Sequence, residues 1–147
     1  MSIAGARGTV GYIAPEVFSR QVGAVTSKSD VYSYGMMVLE MVGARRSGVV
    51  VVVDGSGSSG ASSSYFPECL YRDLDGFCAS STCSGPEEEE VLRKMVVVGL
   101  WCIRMSPSDR PSMSRVLEML EKMTVAELPL PPEAHGASAL QQQQALL

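Results

Sequence analysis

The chain has 147 residues, 46% of them hydrophobic and 19% charged, with a formal net charge of −4, values that fit one modest globular domain. The acidic balance offers no basic surface for nucleic acid or for an anionic membrane, and the longest apolar stretches, Met36 to Val42 and Met95 to Ile103, fall short of the roughly 20 residues that span a bilayer. Four cysteines without a C-x-x-C pair and one distant histidine, His135, argue against zinc; reduced thiols are the plain reading, with a Cys78–Cys83 disulfide as the alternative.

Residues 1–26 read as an irregular, Gly-rich segment in which Pro15 excludes regular helix before Glu16. Ser27, with Asp30 three residues later, is a capping-box start for a helix running to about Val42. Val31, Tyr32, Tyr34, Met36, Met37, Val38, Leu39, Met41 and Val42 leave it no broad polar face, the pattern of a helix buried on several sides. Arg45 and Arg46 end it. Five valines, Val49 to Val53, and a Gly/Ser tract from Gly55 to Ser64 follow, so that 47–64 reads as a flexible insert.

Residues 65–74 suggest a short amphipathic helix from near Pro67, with Cys69, Leu70 and Leu74 inward. After Gly85-Pro86, Glu87 to Glu90 set four acids in the first turn of the next helix, favourable with its dipole. Val91, Leu92, Met95, Val96, Gly99, Leu100 and Ile103 form its expected inner face. Ser108-Asp109-Arg110-Pro111 opens a last helix, with Pro111 in the first turn and Met113, Val116, Leu117 and Leu120 at helical spacing. Glu118 and Lys122 are placed for an exposed pair. Residues 124–147, Pro-rich and then Gln-rich, read as a disordered tail.

Some tempting motifs fail on context. Gly55-Ser56-Gly57-Ser58-Ser59-Gly60 is a literal G-x-G-x-x-G, but no helix opens on those glycines to meet a phosphate. Pro129 and Pro132 make a P-x-x-P match that reads more simply as plain tail. No serine sits in G-x-S-x-G, and one tail histidine cannot serve a nucleophile triad. Glu87 to Glu90 wrap around one helical turn and read as a solvated helix start.

The informative residues are Gly8-Thr9-Val10-Gly11-Tyr12-Ile13-Ala14-Pro15-Glu16 and Ser29-Asp30-Val31-Tyr32-Ser33-Tyr34-Gly35. They resemble the end of a protein-kinase activation segment and the acid-led helix after it. Tyr65-Phe66-Pro67-Glu68, Gly99-Leu100-Trp101-Cys102-Ile103 and Pro107-Ser108-Asp109-Arg110-Pro111-Ser112-Met113 extend the likeness, in order, over roughly residues 5 to 123. The whole is similar to the later half of the large, C-terminal lobe of a plant receptor-like serine/threonine kinase of the rust-resistance, leaf-rust-receptor type. The fold implied is mainly α, helices with long loops, divided into the A-P-E segment (1–26), the partial lobe (27–123) and the tail (124–147).

By that resemblance Gly8, Thr9, Gly11 and Tyr12 belong to the substrate-pocket loop, with Thr9 bonding the catalytic Asp and Lys; the plainer reading of Thr9 is a polar loop residue. Ala14, Pro15 and Glu16 form the A-P-E structural motif, and Glu16 is expected to pair with Arg110 in a partly buried ion pair that holds the segment onto the last helices; the alternative is two solvated groups. Asp30 holds the H-R-D loop in such kinases, which leaves it only a helix-cap role here. Tyr32, Tyr34 and Trp101 are expected core aromatics. Thr9, Tyr12 and the serines of 56–64 are available hydroxyls for phosphorylation.

The phosphate-loop glycines, the β3 Lys, H-R-D and D-F-G that bind ATP and magnesium in the complete domain have no positions in this sequence. No catalytic residue, cofactor or metal is therefore expected in the chain itself, and no phosphoryl transfer by it alone. The expected partners are the missing kinase half or protein substrates, with no nucleic acid and no direct membrane contact. The relatives are plasma-membrane receptors, which puts such a segment on the cytosolic face. A non-catalytic interaction or decoy fragment, and a truncated gene product exposing apolar surface, are the alternatives.

Overall fold

The structure is a computed structural model that describes residues 11–44, 70–79 and 83–132, and all the regular structure among them is helical. The insert at 47–64, Cys69, the Tyr65 to Glu68 motif and residues 133–147 lie outside the described residues.

The A-P-E segment closes into a single turn, α1 (Pro15–Phe18), rather than an irregular loop. Pro15 stands at its first position, where a missing N–H removes no intrahelical bond. α2 (Ser27–Ala44) follows. Its cap is one residue earlier than the sequence pattern suggests: Thr26 Oγ1 accepts from the Lys28 N–H at 3.2 Å, and the Thr26 carbonyl accepts from the Ser29 N–H, answering first-turn amides that Ser27 cannot reach.

α2 is not covered on several sides as its composition suggests. Val31, Tyr32, Val38, Leu39 and Val42 are buried, but Met37 and Met41 are 53% and 59% exposed. Residues 70–72 are helical, the helix breaks at Asp73, and α3 (Leu74–Ala79) begins at Leu74, where the expected helix was to end. Asp73 is its cap, accepting from the Gly76 N–H through Oδ1 at 2.9 Å. A Cβ at Gly76 would lie 2.2 Å from Asp73 Oδ2, so the cap depends on glycine there.

α4 (Pro86–Cys102) is the central helix. Residues 96–100 are all buried, which no amphipathic stripe provides. The expected inner residue Val91 is 56% exposed, while its neighbour Leu92 faces the core at 6%. α2 packs along α4, and α3 and the last helix also rest on it. Two glycines permit that approach: a Cβ on Gly35 would stand 2.5 Å from Cys102 Cβ, and one on Gly99 would stand 2.8 Å from Leu39 Cδ2.

Pro107–Asp109 forms a separate 3-10 turn, and α5 (Met113–Glu121) starts after Pro111. Ser112 caps α5 by accepting from the Arg115 N–H at 3.2 Å. Its inner face is rotated from the expected one: Val116 and Met119 are buried, whereas Met113 and Leu117 are 45% and 55% exposed. Glu118 pairs with Arg115 at 2.7 Å rather than with Lys122. Ordered packing also continues past the boundary expected at 124. A 3-10 turn at Val125–Glu127 is closed by a capping box, Leu128 is buried, and Trp101 Nε1 donates to the Pro129 carbonyl at 2.8 Å. Composition reads this stretch as tail because its anchors lie on α4.

Candidate functional site

Two charged residues are enclosed as completely as the hydrophobic core around them. Glu16 in α1 and Arg110 after the 3-10 turn are 1% and 2% exposed, and both side chains are fully shielded from solvent. A buried charge is tolerated only when it is paired and its hydrogen-bonding capacity is filled. Here both conditions are met.

Arg110 Nη1 donates to Glu16 Oε1 at 2.7 Å and Nη2 to Glu16 Oε2 at 2.8 Å, a two-pronged ion pair between residues 94 apart in sequence. Its other donors go to main-chain carbonyls: Nε to Arg104 at 2.7 Å, Nη1 to Lys28 at 2.9 Å and Nη2 to Met105 at 3.1 Å. All five guanidinium N–H groups are thereby used. The Tyr32 ring lies 5.0 Å from the guanidinium carbon and presents its face to the cation. Ser29 Oγ donates to Glu16 Oε1 at 2.6 Å, and the Lys28 ammonium donates to the Arg110 carbonyl.

Burial pushes the Glu16 carboxyl up, but the hydrogen bonds from Arg110 and Ser29 outweigh it and hold the group below its ordinary 4.5. A carboxylate kept ionised, enclosed and fully partnered is suited to fastening elements together. It is unsuited to proton transfer, which needs a base within reach of a substrate. The pair joins α1, the start of α2 and the turn before α5.

The other expected site residues are placed more loosely. Ala14 and Pro15 are buried beside Glu16. Gly11 is exposed with φ at +95°, a conformation that side-chain-bearing residues rarely adopt. The carbonyl of Tyr12 accepts from Ser33 Oγ at 2.6 Å, tying the stretch before α1 to α2. Asp30 is exposed and has no side-chain partner among the described residues; the cap bond runs to Thr26 instead. Gly8 and Thr9 lie outside the described residues.

Lys28, Ser29 and Tyr32 join the site, although the sequence marks Ser29 and Tyr32 only as members of the acid-led helix motif, Tyr32 as a core aromatic, and Lys28 not at all. Ser29 and Tyr32, one turn apart and polar on an otherwise apolar face, are the signal that marks them. A cleft of about 280 Å³ whose lining includes Trp101, Pro111, Met119, Met123 and Leu128 is chiefly apolar. Among the described residues no group of three or more His, Cys, Asp or Glu could hold a metal ion, and Arg110 and Lys28 are committed to Glu16 and to carbonyls.

Comparison with known proteins agrees with this architecture. Residues 2–120 match the family model for protein tyrosine and serine/threonine kinases. In Arabidopsis thaliana, the leaf rust 10 disease-resistance locus receptor-like protein kinase-like 2.3 is 52% identical over 124 residues, covering 82% of this chain and 19% of that relative. The corresponding kinase-like 2.8 is 47% identical over 95% of this chain and 17% of its own length. Protein SUPPRESSOR OF NPR1-1 CONSTITUTIVE 4 is 50% identical over 90% of this chain and 12% of its own length. The chain thus spans about a fifth or less of these relatives. With its helical C-terminal-lobe architecture and the A-P-E turn fastened to the last helices, it belongs to the protein tyrosine and serine/threonine kinase family and is similar within it to the leaf rust 10 receptor-like kinases.

Proposed function

We propose that these residues serve as the scaffold half of a serine/threonine kinase large lobe and transfer no phosphate by themselves. The buried Glu16–Arg110 pair carries this reading. It fixes the A-P-E turn onto the helices that follow, and this supports a substrate-pocket role for the loop of Gly8, Thr9, Gly11 and Tyr12 in a complete domain. Phosphoryl transfer demands little of a protein beyond positioning and charge stabilisation, and the groups that would position ATP and magnesium must come from a kinase half bearing the Lys, H-R-D and D-F-G motifs. In such a complete domain the reaction is transfer of the ATP γ-phosphoryl group to protein hydroxyls, on the cytosolic face of a receptor-like parent. No helix among the described residues is long and apolar enough to cross a membrane.

The test is ATP binding and autophosphorylation by the 147-residue chain with magnesium, beside a fusion to the upstream kinase half of a relative. Activity in the fusion alone supports the reading; activity in the unfused chain overturns it. A second reading, a non-catalytic interaction fragment, is favoured by Met37 and Met41, two large apolar side chains of α2 open to solvent. Capture of a kinase half by these side chains, without nucleotide binding, would favour it.

A further inference from the structure

The P-x-x-P match at Pro129 and Pro132 takes no part in the kinase scaffold described above, and the fold gives it a partner within the chain. Pro129, Pro131 and Pro132 each lock φ at about −65°, and the residue before each is pushed toward extended backbone, so Leu128-Pro129-Leu130-Pro131-Pro132 is set for polyproline II. That helix repeats every three residues, and two independent features of the segment keep the period. Leu128 and Pro131 are buried, whereas Pro129, Leu130 and Pro132 are exposed. The carbonyls of Pro129 and Pro132 accept hydrogen bonds, the first from Trp101 Nε1 at 2.8 Å and the second from Arg104 Nη1. One face of the segment supplies apolar contact, and another, one residue on, supplies acceptors.

The end of α4 presents the complementary surface. Trp101 packs against the core while its indole N–H meets the Pro129 carbonyl, an apolar body with a polar edge of the kind that lines proline-reading grooves. Arg104, just beyond α4, has a side chain only 15% exposed; its Nε is buried without an acceptor among the described residues, and its Nη2 lies 4.0 Å from Asp109. The guanidinium therefore keeps capacity for carbonyl oxygens. Leu128 and Pro129 also share the lining of the apolar cleft with Trp101, Met119 and Met123. The segment is lightly held: Pro129, Leu130 and Pro132 face solvent, and stretches with so few buried contacts open at small free-energy cost.

We propose that Trp101 and Arg104 form a proline-recognition surface, occupied at rest by the chain's own residues 128–132 and open to exchange with a proline-rich segment of a protein partner that offers Leu-Pro-x-Pro-Pro in the same register. The partner's inward Leu and Pro take the places of Leu128 and Pro131, and its carbonyls take those of Pro129 and Pro132 on Trp101 and Arg104. The resident segment is tethered, which gives it an effective concentration on the order of millimolar. A short free peptide must therefore reach that range to displace it.

Trp101 is the one tryptophan of the chain, so its indole N–H gives a single nuclear magnetic resonance cross-peak that reports on the site. The full chain is titrated to about 10 mM with a capped Leu-Pro-Leu-Pro-Pro peptide, and separately with Ser-Pro-Leu-Ser-Pro, which changes only the two inward residues. The first peptide should move the indole peak saturably, and the second should need at least about tenfold more, since it buries far less apolar surface. In the full chain Pro131→Ser loosens the resident segment and should lower the half-saturating concentration of the first peptide at least about threefold, because more sites stand open. Leu130→Ser, on the outward face, should leave that concentration unchanged. No movement of the indole peak in the unsubstituted chain, or equal movement by both peptides, would overturn the proposal whether or not the Pro131 variant folds. A midpoint that Pro131→Ser, folded by circular dichroism, does not lower would overturn it too, since the peptide would then sit beside the resident segment instead of replacing it.

Discussion

Replacing Arg110 with alanine is the sharpest perturbation the structure offers. The substitution removes all five N–H donors at once and leaves Glu16 enclosed, with Ser29 Oγ as its one remaining side-chain donor. Stranding one member of a buried ion pair costs about 3 to 5 kcal/mol. In a chain of this size that corresponds to a fall in Tm of roughly 6 to 20 °C. Glu16→Ala should cost less, toward the lower end of that range, because three of the five Arg110 donors keep their carbonyls on Arg104, Met105 and Lys28. Arg110→Lys restores the charge but not the two-pronged geometry and should recover only part of the loss.

Urea unfolding followed by far-ultraviolet circular dichroism and Trp101 fluorescence, on both single variants and the double variant, completes a thermodynamic cycle. The expected coupling is about 2 to 3 kcal/mol, with the double variant costing less than the two single losses combined. If Arg110→Ala costs under about 1 kcal/mol, or if the two substitutions are additive, the pair behaves as an exposed one and the reasoning fails.

Acid should weaken the chain through the same pair. Glu16 has a lower pKa folded than unfolded, so its contribution is fully present above the ordinary value of 4.5 and is lost as pH falls through the folded value; Glu16→Gln should flatten this limb in a pH series of urea midpoints. Gly35→Ala gains about 1 kcal/mol of helix propensity but forces a Cβ to within 2.5 Å of Cys102 Cβ, and we expect a net loss of about 1 to 2 kcal/mol by thermal melting; an unchanged or higher Tm would refute the close approach of α2 and α4. Asp75→Asn removes the charge from the bond to Arg93 on a side chain that is 88% exposed, so it should cost under about 1 kcal/mol, less still in high salt.

The helical character of the lobe was legible because its signals are local. A proline at a first turn, acids at a helix start and an apolar period of three to four mark α2, α4 and α5 whatever surrounds them, whereas the single turn of α1 was hidden in a Gly-rich segment. What periodicity cannot report is how far a helix sinks into the core. α4 needs Val96, Val97 and Val98 in succession because it is covered on all sides there, a fact about its neighbours that its own sequence does not contain. The rotated face of α5 and the packed stretch to Pro132 have the same origin, as Leu128 and Pro129 are held by groups far back in the chain.

The Glu16–Arg110 pairing was likewise visible only through resemblance, since no local rule connects residues so far apart. The carbonyls of Arg104, Met105 and Lys28 that complete the cage carry no side-chain signature at all. Ser29 was the one legible accessory, a hydroxyl on an apolar face, whereas Thr26 took the cap by geometry that one residue of register decides.

The span of that ion pair also sets a timetable. At synthesis rates of about 5 to 20 residues per second, Glu16 emerges from the ribosome several seconds before Arg110, 94 residues later. Throughout that interval its carboxylate stays hydrated and the A-P-E turn has nothing to close upon. Helices α2 and α4 can meet first, through Gly35 and Gly99, while the N-terminal turn waits for almost the last helix of the lobe. Polypeptides arrested just short of Arg110 should therefore hold formed helices and an unfastened A-P-E turn.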